Sequence, residues 1–274
     1  MRHSVVCCAM AMAAALALSG CGIFSGTKKD TYIEQPVDKL YNSAMSSVAA
    51  ENWDKAAQQF DEVDRQHPYS VWATKAQLMG AYALYQDNKY DQSVVSADRF
   101  IQLHPGNRDV AYAYYLKALD YYVQIADVGR DQAVTQQALA ALGEVAKRFP
   151  DSRYGRDAAL KMQLAIDHLA GKEMEIGRYY EKQRYYLAAI NRYRRVVDLY
   201  QTTTHVPEAL ERLTECYTAL GLHEEARKTA AVLGYNYPGS KWYERSYALM
   251  NGDSTATASS DHGSGWLSDV AGIF

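Results

Sequence analysis

Cys21 is the residue whose surroundings predict the most definite chemistry. It follows the sequence Leu-Ser-Gly at the end of residues 5–18, an apolar run without charged residues. Such a run is too short to cross a bilayer comfortably, but it has the length of the apolar region of a signal peptide. Small residues before a cysteine are typical of a bacterial lipobox, at which the thiol is diacylated and the chain is cut just before it. We therefore expect residues 1–20 to be a lipoprotein signal peptide and Cys21 to be the lipidation site.

The residues after Cys21 indicate where the chain goes and how it is held there. Aspartate after the cysteine would favour retention in the inner membrane, so Gly22 favours the outer membrane. Residues 21–36 have no helical period and predict a flexible tether between the lipid and the folded body. Several acyl chains together anchor a protein stably where one does not. The alternative is an ordinary signal peptide followed by an incidental cysteine.

Residues that could catalyse a reaction do not form a recognisable motif. There is no glycine-rich phosphate-binding loop, and the sequence His223-Glu224-Glu225 lacks the second histidine of a zinc-protease motif. Cys216 lies in an apolar helical stretch, which favours packing over nucleophilic catalysis. We therefore expect no enzymatic activity, no cofactor and no metal.

The charge of the chain argues against a nucleic-acid partner. The formal net charge is −3, and removal of residues 1–20, with one Arg and no acid, leaves 28 basic and 32 acidic residues. A nucleic-acid-binding protein normally carries a basic excess.

Two concentrations of side chains could instead bind protein. Residues 178–195 contain six Arg or Lys against the single acid Glu181, which predicts either a solvated basic face or a docking patch for an acidic partner. Tyrosine accounts for 23 of 274 residues and is dense in residues 109–125. These tyrosines either fill the space between helices or offer an extended peptide both stacking and hydroxyl groups.

The elements that position these side chains are helix pairs. Apolar residues recur at i, i+3, i+4 and i+7, and one pattern with a central small residue occurs five times. The small residues are Ala56, Ser93, Ala138, Ala189 and Ala226. In four copies a proline closes the second helix: Pro68, Pro105, Pro150 and Pro238. Repeats of this kind are similar to the tetratricopeptide repeat.

This pattern predicts an all-α fold, a tetratricopeptide-like superhelix of about five helix pairs, with a generic helical bundle as the alternative. The repeat domain is expected to span residues 37–250, with N-terminal repeats in 37–150 and C-terminal repeats in 151–250. Residues 251–274 begin as a low-complexity stretch that we expect to be disordered. Apolar residues return at helical spacing in 266–274, and a short docking helix is the alternative there.

Together, the lipobox, the tether and the five pairs resemble the BamD (ComL) family of lipoproteins from Gram-negative bacteria. Three stretches carry the resemblance: Asp98–Ile101, Asp127–Gln132, and the block Glu175–Tyr180 with Ala188–Arg192. The similarity covers roughly residues 20–250. Gln201 stands where the family usually has proline, so we expect the fourth pair to end less sharply.

The resemblance implies a lipid-anchored component of the β-barrel assembly machinery, on the periplasmic face of the outer membrane. Its implied partners are a POTRA domain of the barrel protein BamA and other lipoproteins of the machinery. Arg192 occupies the position associated with the POTRA contact, and Asn191 and Arg195 are expected beside it. A tetratricopeptide lipoprotein scaffold for cell division or pilus assembly is the alternative, and the block 175–192 argues against it.

The resemblance also implies that the N-terminal repeats receive unfolded outer-membrane β-barrel proteins. His67 and Arg99 lie in the region associated with substrate recognition. A groove for an extended apolar segment needs adaptable aromatic contacts, and Tyr69, Tyr82 and Tyr85 are the candidates, unless Tyr82 and Tyr85 are buried between repeats.

Overall fold

A computed structural model describes residues 34–252, in which eleven α-helices and no β-strands are found. The helices are α1 Val37–Ala49, α2 Trp53–Gln66, α3 Val71–Gln86, α4 Tyr90–Leu103, α5 Val110–Tyr122, α6 Ala133–Arg148, α7 Arg153–Lys182, α8 Tyr186–Leu199, α9 Val206–Ala219, α10 His223–Asn236 and α11 Lys241–Asn251. The all-α prediction is confirmed. Cys21, the signal peptide, most of the tether and residues 253–274 lie outside the described residues.

Consecutive helices pack against each other, and they form five pairs from α1–α2 to α9–α10. The first helices of neighbouring pairs also touch, α1 with α3, α3 with α5, and α5 with α7. These first helices therefore form the inner layer of a tetratricopeptide-like stack, as the repeat pattern predicts. Helix α11 follows the fifth pair and packs against α9 and α10.

The small residues of the repeat pattern lie where two helices come closest. All five of them, Ala56, Ser93, Ala138, Ala189 and Ala226, have no solvent-exposed surface. A larger side chain at any of these positions would have to displace the neighbouring helix, because protein cores are close-packed. The sequence pattern thus identified the contact points between helices.

The second helices of the pairs end in one common geometry. Helices α2, α4, α6 and α10 end two residues before a proline. The intervening residue has φ between −130° and −136°, and its N–H donates to the carbonyl four positions earlier.

The expectation that the fourth pair ends less sharply is wrong. Helix α8 ends at Leu199 with the same geometry, and Tyr200 has φ −126°. The backbone N–H and the hydroxyl of Thr203 both donate to the carbonyl of Tyr200, over 3.1 and 2.8 Å. Ser152 and Ser240 make the same two bonds to Phe149 and Tyr237 at ends that contain proline, so α8 keeps the common turn without one.

Helix α7 connects the two halves of the repeat domain. Its 30 residues correspond to about 45 Å at the usual rise. Ala158, near its start, belongs to the core of α5 and α6, whereas Ala170 and Met174 belong to the core of α8, α9 and α10. One continuous helix therefore supports both sets of candidate binding residues.

Candidate functional site

Two arginines on α8 share one carboxylate from α7. Arg192 Nη1 lies 3.1 Å from Glu173 Oε2, and Arg195 Nε lies 3.2 Å from Glu173 Oε1. The Glu173 side chain is 11% exposed, whereas those of Arg192 and Arg195 are 34% and 52% exposed. The carboxylate therefore fixes both guanidinium groups from below, while their outer parts reach solvent.

This arrangement, which we call the arginine face, carries an excess of positive charge and of hydrogen-bond donors. A guanidinium has five N–H groups, and each contact to Glu173 uses one nitrogen. Asn191 is exposed on the same helix, four residues before Arg195. Donors held in this way suit a carboxylate or a row of backbone carbonyls on a partner. The structure thus brings together the three predicted partner-binding residues Asn191, Arg192 and Arg195.

The close approach of α7 and α8 explains the block that carries the family resemblance. A Cβ atom on Gly177 would lie 2.4 Å from Cε1 of Tyr193, so the tyrosine ring rests directly on the glycine. Tyr193 is fully buried and its hydroxyl donates to Glu181 over 2.6 Å. On α7, Glu173 lies one helical turn from Gly177, and on α8, Arg192 is next to Tyr193, so this contact sets the spacing at which Arg192 reaches Glu173.

Beneath the arginine face lies a buried cluster of charged groups, the carboxylate cluster. It consists of Glu181 on α7 and Glu211, Arg212 and Glu215 on α9. Arg212 Nη1 donates to Glu215 over 3.1 Å, but its contacts to Glu181 and Glu211 are 3.8 Å long. Three nearly buried carboxyl groups therefore depend mainly on one guanidinium. Sequence reasoning missed this cluster, although the spacing of the acids on α9 was visible.

Burial raises the pKa of all three glutamates, to about 8 for Glu181 and Glu215, while Arg212 opposes the shift. A group whose pKa is higher in the folded than in the unfolded chain stabilises the fold at low pH. For these glutamates the contribution is complete below the unfolded pKa, near 4.5, and is lost as the pH rises through about 8. Burial also raises the pKa of Asp120, to about 7, so this group likewise loses its stabilising contribution as the pH rises. We expect the free energy of unfolding to fall between pH 5.5 and 8.5.

The measurement is urea unfolding at three pH values across this range. Other groups face the carboxylate cluster: Tyr193 from α8, Glu208 and Cys216 from α9, and Arg245 from α11. The substitution Glu215→Gln removes one titrating carboxyl and should flatten the pH dependence. A free energy of unfolding that rises with pH over this range would contradict the assignment.

The basic stretch 178–195 does not form one continuous patch. Arg178 on α7 pairs with Glu208 on α9 over 3.0 Å. Arg194 lies two positions from Arg192 and therefore about 200° around α8. The arginine face is thus the part of this stretch where two cations of α8 lie on one carboxylate of α7.

In the N-terminal repeats, Tyr82 and Tyr85 are half-buried. Both pack against the core residues Ala81, Ala97 and Leu116. Tyr82 contacts the ring of Trp53 at 6.0 Å between centroids, and Tyr85 contacts Tyr90 at 5.9 Å. Each tyrosine therefore contributes to packing and also keeps part of its ring at the surface. Burial raises the pKa of Tyr85.

This tyrosine surface continues across the inner layer onto α5 and α7. The rings of Tyr112 and Tyr115 lie 5.5 and 5.2 Å from that of Tyr154. Tyr115 donates to Asp157, which also accepts from Lys161 over 2.6 Å. The surface therefore combines aromatic rings with a few fixed polar groups.

Arg99 lies in a different polar network. Its Nη2 donates to Asp64 over 3.0 Å, and Gln77 Nε2 donates to the other oxygen of Asp64 over 2.8 Å. His104 Nε2 donates to Gln77 Oε1 over 2.8 Å. Asp64, Gln77 and Arg99 border an open depression of about 430 Å³ between α2, α3 and α4, which we call the N-terminal depression. Asp64 and Gln77 were not identified from the sequence, because no local motif pairs them.

The five predicted substrate-binding residues do not form one surface. Arg99 borders the N-terminal depression, whereas Tyr82 and Tyr85 do not line it. Tyr69 is fully exposed in the turn between α2 and α3, and His67 is half-buried at the end of α2. Positions 69 and 82 are separated by most of the length of α3, roughly 20 Å. Tyr69 and His67 therefore lie at the start of α3 and Tyr82 and Tyr85 toward its end, while Arg99 borders a depression lined by Ala76 to Leu84 of this helix.

Within residues 34–252, no cluster of three or more His, Cys, Asp or Glu side chains is arranged to hold a metal ion. None of the helices in this part of the chain combines the length and apolar character needed to cross a membrane.

Comparison with known proteins places the chain among lipoproteins. A family model, YfiO, described as outer membrane lipoprotein, matches residues 33–233. The outer membrane protein assembly factor BamD of Caulobacter vibrioides is 49% identical over 252 residues, covering 91% of this chain and 81% of that protein. BamD of Rickettsia prowazekii is 47% identical over 236 residues, covering 86% and 92%.

Among solved structures, the TPR2AB domain of yeast Sti1 in complex with an Hsp90 peptide is similar with a TM-score of 0.42. Its sequence identity is 12%, and the match covers 81% of this chain and 84% of that one. The family model and the BamD relatives span the helix pairs, the arginine face and the N-terminal depression. The chain therefore belongs to the YfiO family of outer membrane lipoproteins, and it is similar to BamD assembly factors over most of its length.

Proposed function

We propose that this protein is a non-enzymatic lipoprotein component of the machinery that assembles β-barrels in the outer membrane. Its relatives at 47–49% identity carry the name outer membrane protein assembly factor. The observation that carries the proposal is the arginine face, where Glu173 holds Arg192 and Arg195 with unused donors directed to solvent. Donors held in this way suit docking to a carboxylate or to backbone carbonyls of a partner.

The proposed anchor is a set of acyl chains on Cys21, which holds the protein on the periplasmic face of the outer membrane. The lipobox and Gly22 support this position, as does the outer membrane lipoprotein family. With residues 21–36 as tether, the repeat domain stays close to the membrane surface where barrels are inserted.

The proposed partner of the arginine face is a POTRA domain of BamA, with other lipoproteins of the machinery bound elsewhere on the body. An acidic side chain on that domain would meet two preorganised guanidinium groups, and preorganisation lowers the entropic cost of binding. Purification of the chain in mild detergent tests the proposal. BamA should copurify; a division or pilus protein in its place would identify the chain as a scaffold of another envelope pathway.

The proposed substrate site for unfolded barrel proteins is the tyrosine surface of α3, α5 and α7, with Tyr82 and Tyr85 at its N-terminal end. Tyrosine rings accept many apolar sequences at a low entropic cost, and their hydroxyls bond to backbone groups. Tyr69 and His67 lie at the start of α3, and Arg99 lies beside the middle of this helix, where its guanidinium is available for a terminal carboxylate at the N-terminal depression.

The substitutions Tyr82→Ala and Tyr85→Ala test the tyrosine surface. Because both rings are half-buried, each change should lower the free energy of unfolding by about 2 kcal/mol, less than for a fully buried ring. Each should also reduce crosslinking to a C-terminal barrel peptide per folded molecule. Tyr69→Ala is the control for stability, because Tyr69 is fully exposed and should lose under about 0.5 kcal/mol. Lower stability with unchanged crosslinking would make both tyrosines packing residues only.

A further inference from the structure

The last described helices repeat the geometry of the first repeats at a constant offset of 170 residues. Helix α2, Trp53–Gln66, corresponds to α10, His223–Asn236, and both are followed by a proline two residues later. Helix α3 begins at Val71 and α11 at Lys241. The N-caps Ser70 and Ser240 accept from Ala73 and Tyr243 over 3.0 and 3.1 Å, again at the same offset.

The offset also relates two surface depressions. The N-terminal depression is lined on α2 by Ala57, Phe60, Asp61 and Asp64. A second depression, here the C-terminal groove, is lined on α10 by the equivalent residues Arg227, Ala230, Ala231 and Gly234. On the following helix, Gln77 and Gly80 correspond to Tyr247 and Met250. Both depressions thus form between the second helix of one pair and the first helix of the next.

The two depressions differ in their third wall. At the N-terminal depression, Ser96 and Arg99 of α4 supply it. The C-terminal groove is lined within the described residues by α10 and α11 alone and is larger, about 850 Å³ against about 430 Å³. Apolar surface is left open there, since the side chain of Tyr247 is 58% exposed. Among the helices of residues 34–252, none supplies the third wall that α4 supplies at the N-terminal depression.

The sequence at the missing position has the residues of such a helix. At the same offset, Ser96 and Arg99 correspond to Trp266 and Asp269. Trp266, Val270 and Ile273 are spaced i, i+4 and i+7, so a helix would place them on one face. A nine-residue helix is unstable alone in water, and it needs a surface to pack against.

We propose that residues 266–274 pack as a helix into the C-terminal groove and complete a sixth pair with α11. A Gly- and Ser-rich stretch of the length of residues 253–265 bridges roughly 20 Å, enough to return along α11. Asp269 would add a negative charge near Arg227, a cation of the groove that also pairs with Glu224 over 2.7 Å. The segment then covers the open end of the stack, as terminal capping elements do in repeat proteins.

Crosslinking within the full chain tests this placement. Cysteines are introduced at Ala231 in the groove and at Val270 in the segment, and a short bismaleimide is added to the protein in mild detergent. The native Cys216 is buried and out of reach of the reagent. The pair 231/270 should form an intramolecular link at least about tenfold more often than the pair 95/270, because Val95 lies on α4 and is 69% exposed but distant from the groove.

A second variant pair keeps the test independent of crosslinking geometry. Ile273→Asp, on the same face as position 270, should reduce the 231/270 link and speed amide exchange in residues 241–251, each at least about tenfold. Ser268→Asp adds the same charge on the opposite face of the segment and should change neither. Equal linkage for both cysteine pairs, linkage only between two molecules, or shielding of position 270 only when phospholipid vesicles are added would each overturn the proposal.

Discussion

Replacing Arg192 with glutamate is expected to weaken the binding of BamA POTRA domains by about 30-fold or more. Truncating or reversing one member of a desolvated charge pair costs on the order of 2–5 kcal/mol. Arg192→Glu acts twice at the arginine face. It replaces a donor with an acceptor, and it leaves Glu173 with Arg195 as its remaining partner in this cluster. Binding of the purified POTRA domains, measured by titration at fixed salt, gives the loss directly.

The matched control is Arg194→Glu on the same helix. It changes the charge by the same amount, but Arg194 lies about 200° around α8 from Arg192. Urea unfolding should give near-native stability for Arg194→Glu, because position 194 is exposed, whereas Arg192→Glu should lose some stability, because it sets a second carboxylate against the nearly buried Glu173; binding is therefore compared per folded molecule. Equal weakening by the two substitutions would indicate a general charge effect and contradict a specific role for the arginine face.

Replacing Arg212 with methionine is expected to lower the free energy of unfolding by about 3–5 kcal/mol at pH 8. Removing one partner of a buried charge cluster leaves the others uncompensated, and the cost is of this size. Here Glu181, Glu211 and Glu215 would lose a guanidinium that contacts all three of them in a nearly buried site. Because burial already raises the pKa of these glutamates, they take up protons as the pH falls. The loss should therefore be clearly smaller at pH 5.5.

The control for this prediction is Arg108→Met. Arg108 pairs with Asp109 at the surface, where the two side chains are 87% and 51% exposed. Exposed pairs contribute roughly 0–1 kcal/mol, so this variant should unfold like the unmodified chain at both pH values. A loss for Arg212→Met that is equal at pH 5.5 and pH 8 would show that the carboxylates do not depend on Arg212 for their charge.

Much of the fold follows from local features of the sequence. The five small residues at helix contacts and the four proline stops could be predicted because each depends on a residue's own size or backbone. The end of α8 could not, because its turn is held by Thr203 through the same two hydrogen bonds that Ser152 and Ser240 make at proline-containing ends. A family pattern shows that the proline is missing, but it does not show that the turn has a second support.

The candidate sites were predictable in part for the same reason. Arg192 was identifiable from the local block, but its anchor Glu173 lies 19 residues away on another helix. Likewise, Asp64 and Arg99 are 35 residues apart, and only the packing of α2 against α4 through α3 brings them together. The periodicity placed Tyr82 and Tyr85 on one helix, but their burial depends on the neighbours Trp53 and Tyr90.

The most direct test of the proposed function is a photo-crosslink from the arginine face in living cells. A photoreactive amino acid at Asn191, which is exposed beside Arg192 and Arg195, reports what this surface touches. The same amino acid at Val95 on α4 serves as the control. We predict that position 191 crosslinks to BamA and that position 95 does not. Crosslinks from position 191 to a division or pilus protein, or none to BamA above the level at position 95, would contradict the account.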